Sequence, residues 1–307
     1  MWLSPFLWAT IAALSVSAKF AGFPKLERLV VFGDSYSAIN FRVKGAPPSP
    51  SKPWGDTASY LTTSYNESRF LTYDMAVGGS TVDINIVPTP SNFSFVKQVD
   101  LFAKTYGRSG APMFQKPDTT LVAAWFGINE VLKTFAEGDL SSSSSWDKTY
   151  DQVFKKYLAL ITTLRDRGAR NFLFINVPPV HRNPYIRGLR QGQLVPRAAS
   201  LIANLNQRIA KLAAKVRSDY PDTTMYTYDA YAALQAALDN PKKFPELARV
   251  RDTTNVCGAY HDGTPAMNTK LPQCQYAVDQ YFWFDTIHPG SSVHNLMAKQ
   301  ISELLLR

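Results

Sequence analysis

Ser35 follows Gly33 and Asp34 at the end of a short apolar run, residues 29–32. Serine becomes a nucleophile only where a turn exposes its hydroxyl, a base takes the proton, an acid orients the base and donors meet the oxyanion. Alone after a strand, a serine reads more readily as the N-cap of the next helix. Two further polar turns change that balance. Gly78-Gly79-Ser80-Thr81 follows the apolar run 73–77, and Gly127-Ile128-Asn129-Glu130 follows the run 120–126. Gly79 lets a backbone N–H approach a ligand with no Cβ in the way, and Asn129 carries a side-chain amide donor. With the N–H of Ser35 they make a set of candidate oxyanion donors.

The histidines are His181, His261, His288 and His294. The base is best sought in Asp285-Thr286-Ile287-His288-Pro289. Pro289 keeps His288 out of the helical region, so the segment is a loop, and Ser291 or Ser292 is placed to cap the helix behind it. A carboxylate three positions before a constrained histidine can accept the Nδ1 hydrogen and turn Nε2 toward a serine, which makes Asp285 the orienting acid. His181, behind the run 171–177, is second choice because no Asp or Glu lies near it in sequence. His294 falls inside a helical pattern, packed or solvated.

These groups need a frame that carries distant segments to one edge. The apolar runs 29–32, 73–77, 120–126, 171–177 and 225–228 read as five buried strands. Between them, Val153, Tyr157, Leu160, Ile161 and Leu164 share one face of an amphipathic helix. Leu201, Leu205, Ile209 and Leu212 repeat the pattern, and Val293, Leu296, Met297, Ile301 and Leu304 give a C-terminal helix. Strand alternating with helix predicts an α/β fold, a parallel five-stranded sheet with helices on both faces. In such sheets ligands sit beyond the carboxyl ends of the strands, where the three polar turns fall. No repeat or linker divides the chain. Residues 45–53 hold four prolines and read as a rigid loop, and the serine run 141–145 as a surface loop.

Composition narrows the field. The 307 residues are 45% hydrophobic and 19% charged, a globular balance rather than a disordered or coiled-coil one. Residues 1–18 carry no charged side chain and end in Val16-Ser17-Ala18, the small-residue pattern of a signal-peptidase site. A signal peptide over 1–18, a mature domain over 19–307 and a secreted, extracellular protein are expected. A membrane span needs about 20 apolar residues; the leader run is shorter and no later stretch suffices, so no membrane partner is expected. Export suits Cys257 and Cys274, 17 positions apart, as a disulfide stabilising by roughly 3 kcal/mol in the chain-entropy model. A zinc site is poorly supported, with His261 the only other soft ligand nearby. Asn66-Glu67-Ser68 and Asn92-Phe93-Ser94 are glycosylation sequons. The net charge of +9 is local: residues 167–217 hold ten Arg and Lys and no acid, and the rest of the chain sums to −1. No nucleic-acid motif accompanies it, so no nucleic-acid partner is expected. A solvated basic face is the plain reading; attraction to an anionic polysaccharide is the sharper one.

Five segments carry a family resemblance: Phe32-Gly33-Asp34-Ser35-Tyr36, Ala76-Val77-Gly78-Gly79-Ser80-Thr81-Val82-Asp83, Phe126-Gly127-Ile128-Asn129-Glu130, Asn176-Val177-Pro178-Pro179 and Asp285-Thr286-Ile287-His288-Pro289. In this order, over almost the whole mature chain, the sequence resembles the SGNH/GDSL hydrolases and, within them, fungal acetylesterases of carbohydrate esterase family sixteen. The resemblance implies a flavodoxin-like three-layer fold without cofactor or metal. It implies Ser35 as nucleophile, His288 as base, Asp285 as its partner, and Gly79 and Asn129 in the oxyanion hole. It further implies removal of acetyl groups from xylo- or other oligosaccharides, or from a small ester. The chain departs at Glu130, where Asp is commoner, which bears on the support of that loop. Ser80 stands where Ala is frequent. No Gly-x-Ser-x-Gly elbow of the ordinary α/β-hydrolases occurs. Of the aromatics near the motifs, Trp54 and Tyr36 are candidates to stack on a sugar and Trp125 is a core residue; Trp283 also lies close. A lipase or broad short-chain esterase would share this site; a polysaccharide-binding module on the same fold would not need it.

Overall fold

Apolar runs too short for helices, bounded by Gly, Pro and Asp, become strands. The computed structural model describes residues 20–38, 56–107, 112–136, 146–261 and 263–307. The expected signal peptide, the proline-rich loop 45–53, Trp54 and the serine run 141–145 lie outside them. Strands β1 (Arg28–Gly33), β2 (Leu71–Asp74), β3 (Thr120–Trp125), β4 (Asn171–Ile175) and β5 (Thr224–Tyr228) form one sheet in the order β2-β1-β3-β4-β5. Every neighbouring pair is parallel. β3 and β4 are buried at each residue and β1 at all but Arg28, which is why they read as unbroken apolar runs. The strand order turns back at β1 and β3, so the chain leaves those two strands in diverging directions and opens a crevice between them.

The connections are helices α1 (Thr57–Thr63), α2 (Phe95–Thr105), α3 (Ile128–Thr134), α4 (Asp147–Asp166), α5 (Pro184–Gly188), α6 (Val195–Asp219), α7 (Ala230–Asp239) and α8 (Ser291–Leu305). Right-handed crossovers place α1 on one face and α2, α4 and α6 on the other; α1 packs on α8, and α4 on both α2 and α6. The amphipathic faces expected of α4, α6 and α8 are buried, with Leu305 rather than the half-buried Leu304 completing the last. Beneath the crevice Phe95 stacks on Phe126 at 4.7 Å and lies 5.3 Å from Phe32, a packed floor of the kind that fixes strand ends.

Three strands end earlier than expected, β3 by one residue, at Trp125. β2 covers Leu71–Asp74, not 73–77, because Asp74 Oδ1 accepts the N–H of Ala76 and turns the chain. Met75 and Val77 still donate to Val31 and Gly33 of β1, which is what made the run look continuous. β4 stops at Ile175, and the side chain of Asn206 then takes both backbone groups of Val177 (2.8 and 2.9 Å) where Pro178 and Pro179 end the ladder. The expected serine cap of α8 is also corrected. Gly290 is the N-cap, with no side-chain bond, and Ser291 Oγ meets the Tyr60 hydroxyl at 2.8 Å instead. Cys257 and Cys274 are joined (S–S 2.13 Å, Cα–Cα 5.7 Å). Their loop packs around buried Tyr260 and Tyr281.

Candidate active site

Ser35 leaves the carboxyl end of β1 on a turn held by Asp34, whose Oδ1 accepts the N–H of Tyr36 at 2.9 Å. The strand end is clamped by Gln98 of α2, which accepts from Gly33 N (3.1 Å) and donates to Gly33 O (2.8 Å). Ser35 Oγ, half-buried, lies 2.8 Å from His288 Nε2, and His288 Nδ1 lies 2.7 Å from Asp285 Oδ2. The other Asp285 oxygen accepts the N–H groups of Ile287 and His288, both at 2.7 Å. Burial alone would raise the Asp285 pKa; the hydrogen bond and charge of His288 and the two N–H bonds outweigh it and hold the carboxyl below its usual range. The loop is tied back to the serine turn by Tyr36, whose hydroxyl donates to Ile287 O at 2.6 Å. Such a line can pass a proton from hydroxyl to imidazole while the carboxylate fixes the tautomer.

The candidate donors come from the turns after β1, β2 and β3. Gly78 abuts Ser35, since a Cβ at Gly78 would sit 3.7 Å from Ser35 Cβ. Gly79 has φ +74° and a Cβ there would meet Ser91 at 3.3 Å, so glycine is required. The N–H groups of Gly79 and Ser35 find no acceptor among the described residues. Asn129 Nδ2 donates to Asp34 Oδ2 (3.1 Å) and Ser80 O (3.0 Å), so an oxyanion there would share its hydrogens with groups already held. Gly127, at φ +122°, swings Asn129 into place; a Cβ would fall 2.4 Å from Val177 Cγ2. Glu130 supports the loop that carries Gly79, its Oε1 accepting Val82 N at 2.7 Å. Ser80, in place of alanine, accepts from Gln98 at 3.1 Å. Gln98 itself was missed by sequence reasoning, because nothing in its local sequence sets it apart from a surface helix residue.

Asp34 and Glu130 are buried, and desolvation pushes each carboxyl up to about 7 against the hydrogen bonds that favour ionisation. A carboxyl whose folded pKa is raised binds its proton more tightly folded than unfolded. Stability then falls as pH rises from about 4 toward 7 and levels off above. Glu130→Gln keeps an acceptor for Val82 and removes one of the two titrations. The expected result is a flatter fall of Tm between pH 4 and about 8 than in the wild type; superimposable profiles would refute it.

Several expectations need correction or restatement. Tyr36 is 1% exposed, packed edge-on to Trp125 and near the His288 ring, so it braces the histidine loop and cannot stack on a sugar. Trp283 is buried too, its Nε1 bonded to Thr253 O, while Trp125 is the core residue expected. His294 is packed rather than solvated, Nδ1 on Thr57 Oγ1 at 3.0 Å, and burial with the nearby His288 charge lowers it to about 4. His181 stacks on Tyr231 and has no acid partner among the described residues. Asn92 is exposed and Asn66 half-buried; Ser94 of the second sequon caps α2. A cavity of about 560 Å³ opens beside His288, walled by Val256, Cys257, Gly258, Phe284 and Ile287, so the disulfide loop forms part of it. Among the described residues no helix is long and apolar enough to cross a membrane.

Serine, imidazole and carboxylate thus stand in line at the carboxyl edge of a 2-1-3-4-5 parallel sheet in a three-layer α/β/α fold. The family model for GDSL-like Lipase/Acylhydrolase matches residues 29–301, and the chain belongs to that family. It is a carboxylic ester hydrolase. An acetylesterase from Thermothelomyces thermophilus is 28% identical over 308 residues, 95% of this chain and 90% of its own. A GDSL esterase/lipase of Arabidopsis thaliana is 28% identical over 136 residues, 43% of this chain and 36% of its own. Among solved structures, a GDSL-like lipase from Parabacteroides merdae superposes with a TM-score of 0.55 at 11% identity, covering 94% of this chain and 100% of that one.

Proposed function

We propose that this protein is a secreted serine acetylesterase acting on acetylated carbohydrate, with acetylated xylo-oligosaccharides the first candidate. The observation that carries the reading is the in-line contact from Ser35 Oγ through His288 to Asp285, at 2.8 and 2.7 Å. The acetyl preference is supported by the acetylesterase relative that spans nearly the whole chain, and secretion by the leader-like residues 1–18 and the disulfide. The choice of xylo-oligosaccharide rests on the family resemblance.

Ser35 Oγ attacks the acyl carbon as His288 Nε2 takes its proton, and the carbonyl electron pair moves onto oxygen. The N–H groups of Ser35 and Gly79 and the Asn129 amide receive that oxyanion. The imidazolium then protonates the departing alcohol oxygen, leaving an acetyl-serine. Water repeats the sequence, giving its proton to His288, and acetate leaves as Ser35 recovers the proton. On this assignment Asn129→Ala lowers kcat by about 10²–10³ with little change in KM. Unaltered kcat would take Asn129 out of the oxyanion site.

The test is a hydrolysis panel: nitrophenyl acetate, butyrate and a long-chain ester beside acetylated xylo-oligosaccharides. Acetate should be the best acyl group and the oligosaccharides should release acetic acid. Rates that climb with acyl length would favour a lipase, a reading for which the largely apolar cavity beside His288 offers room.

A further inference from the structure

The ten basic residues of 167–217 do not form a uniform face. Arg170 pairs with Asp222, Arg182 with Asp239, Arg208 with Asp147 and Asp151, and Lys215 with Asp219. Arg167 and Arg217 donate to the backbone carbonyls of Gly107 and Met225, and Arg197 is buried. Acids from neighbouring segments thus cancel much of the charge. Among the described residues Arg187, Arg190 and Lys211 make no ion pair. Two of these three stand together, on α5 and the turn after it.

That turn holds Arg190, Gln191 and Gly192 at φ 46°, 56° and 80°, three left-handed residues in succession. It walls a cavity of about 500 Å³ lined by His181, Arg182, Arg187, Gln191 and Thr253, with no acid in the lining. His181 is only 9% exposed, and its Nδ1 has no hydrogen-bond partner. Burial opposes the charge of Asp252, but the N–H groups of Thr254 and Asn255, with the nearby Arg187 guanidinium, outweigh it and hold that carboxyl below its usual range. The cavity is linked to the histidine loop through Thr253 of its lining, which accepts from Trp283 Nε1 two residues before Asp285.

We propose that this cavity is a subsite for a carboxylate carried by the substrate, the uronic-acid branch of an acetylated oligosaccharide, with Arg187 as its charged partner. The inference rests on the esterase reading above. A guanidinium offers a planar pair of donors matched to a carboxylate; the buried imidazole and the Thr253 and Gln191 side chains add neutral polar partners at the same cavity. A neutral branch offers the guanidinium no opposite charge.

The experiment compares acetate release from acetylated xylo-oligosaccharides with and without one glucuronic-acid branch. The wild type should favour the acidic substrate in kcat/KM by about tenfold, chiefly through KM. Arg187→Gln should bring the ratio near one, while Lys211→Gln, which removes an unpaired cation of α6, should keep it. A wild-type ratio of one, a ratio kept in Arg187→Gln, or an equal loss in Lys211→Gln would each overturn the subsite, the last by showing a diffuse field. Calorimetric binding of the deacetylated acidic oligosaccharide to Ser35→Ala, against Ser35→Ala/Arg187→Gln, is read separately. Binding that is absent from Ser35→Ala, or equal in the two, overturns the subsite; binding lost with Arg187 supports it. If nitrophenyl acetate is hydrolysed and neither oligosaccharide is deacetylated, the carbohydrate reading fails, and the binding measurement still decides the subsite.

Discussion

Ser35→Ala lowers kcat for nitrophenyl acetate by about 10⁴–10⁶-fold while the fold survives. Alanine removes the only atom able to form the acyl bond, and water has no comparable approach to the carbonyl. The structural cost is small: among the described residues the lost hydroxyl bonds to His288 alone, and the turn is held by Asp34, Gln98 and Tyr36. The melting temperature should therefore change little. His288→Ala should cost about as much, and the double variant hardly more, because the two act as one unit. Activity within tenfold of the wild type in well-folded Ser35→Ala would end the assignment.

Asp285→Asn lowers kcat by about 10³–10⁴ with KM nearly unchanged. Its amide oxygen can still accept the N–H groups of Ile287 and His288, so the loop keeps its shape. The amide nitrogen then faces Nδ1 and forces the hydrogen onto Nε2, pointing at Ser35, where it cannot accept a proton. A fall in kcat confined to denatured protein, or a variant as fast as the wild type, would sink this role. The pairing also bears on stability. Because the folded carboxyl titrates below its usual range, its contribution is present at neutral pH and lost as pH falls through that lowered value.

The existence of five strands, their parallel pairing and the meeting of Ser35, Asp285 and His288 follow from features local in sequence. Buried parallel strands are continuous apolar runs, and the chemistry sits in turns just after them. What escaped was set by distant contacts. Tyr36 reads from the sequence as a candidate to stack on a sugar, and its burial depends on a bond from its hydroxyl to Ile287 O, 251 residues away. Gln98 looked like any helical glutamine until it took both backbone groups of Gly33. The end of β2 was hidden because Met75 and Val77 keep bonding to β1 after the chain has turned. Glu130 raised a doubt that only the Val82 contact resolves. The net charge shows the same limit from the other side, since cancelling acids lie in elements far along the chain.

The contact between Ser35 and His288 spans 253 residues, and this has a consequence for synthesis. A nascent chain can assemble all five strands and expose its serine turn while the base is still unmade or undocked. On the proposed assignment, no acyl bond can be cut until the 285–289 loop and α8 have docked, however native the sheet is. On refolding, hydrolysis should return after the helical signal has recovered. On that assignment, activity reports the docking of the segment that carries His288.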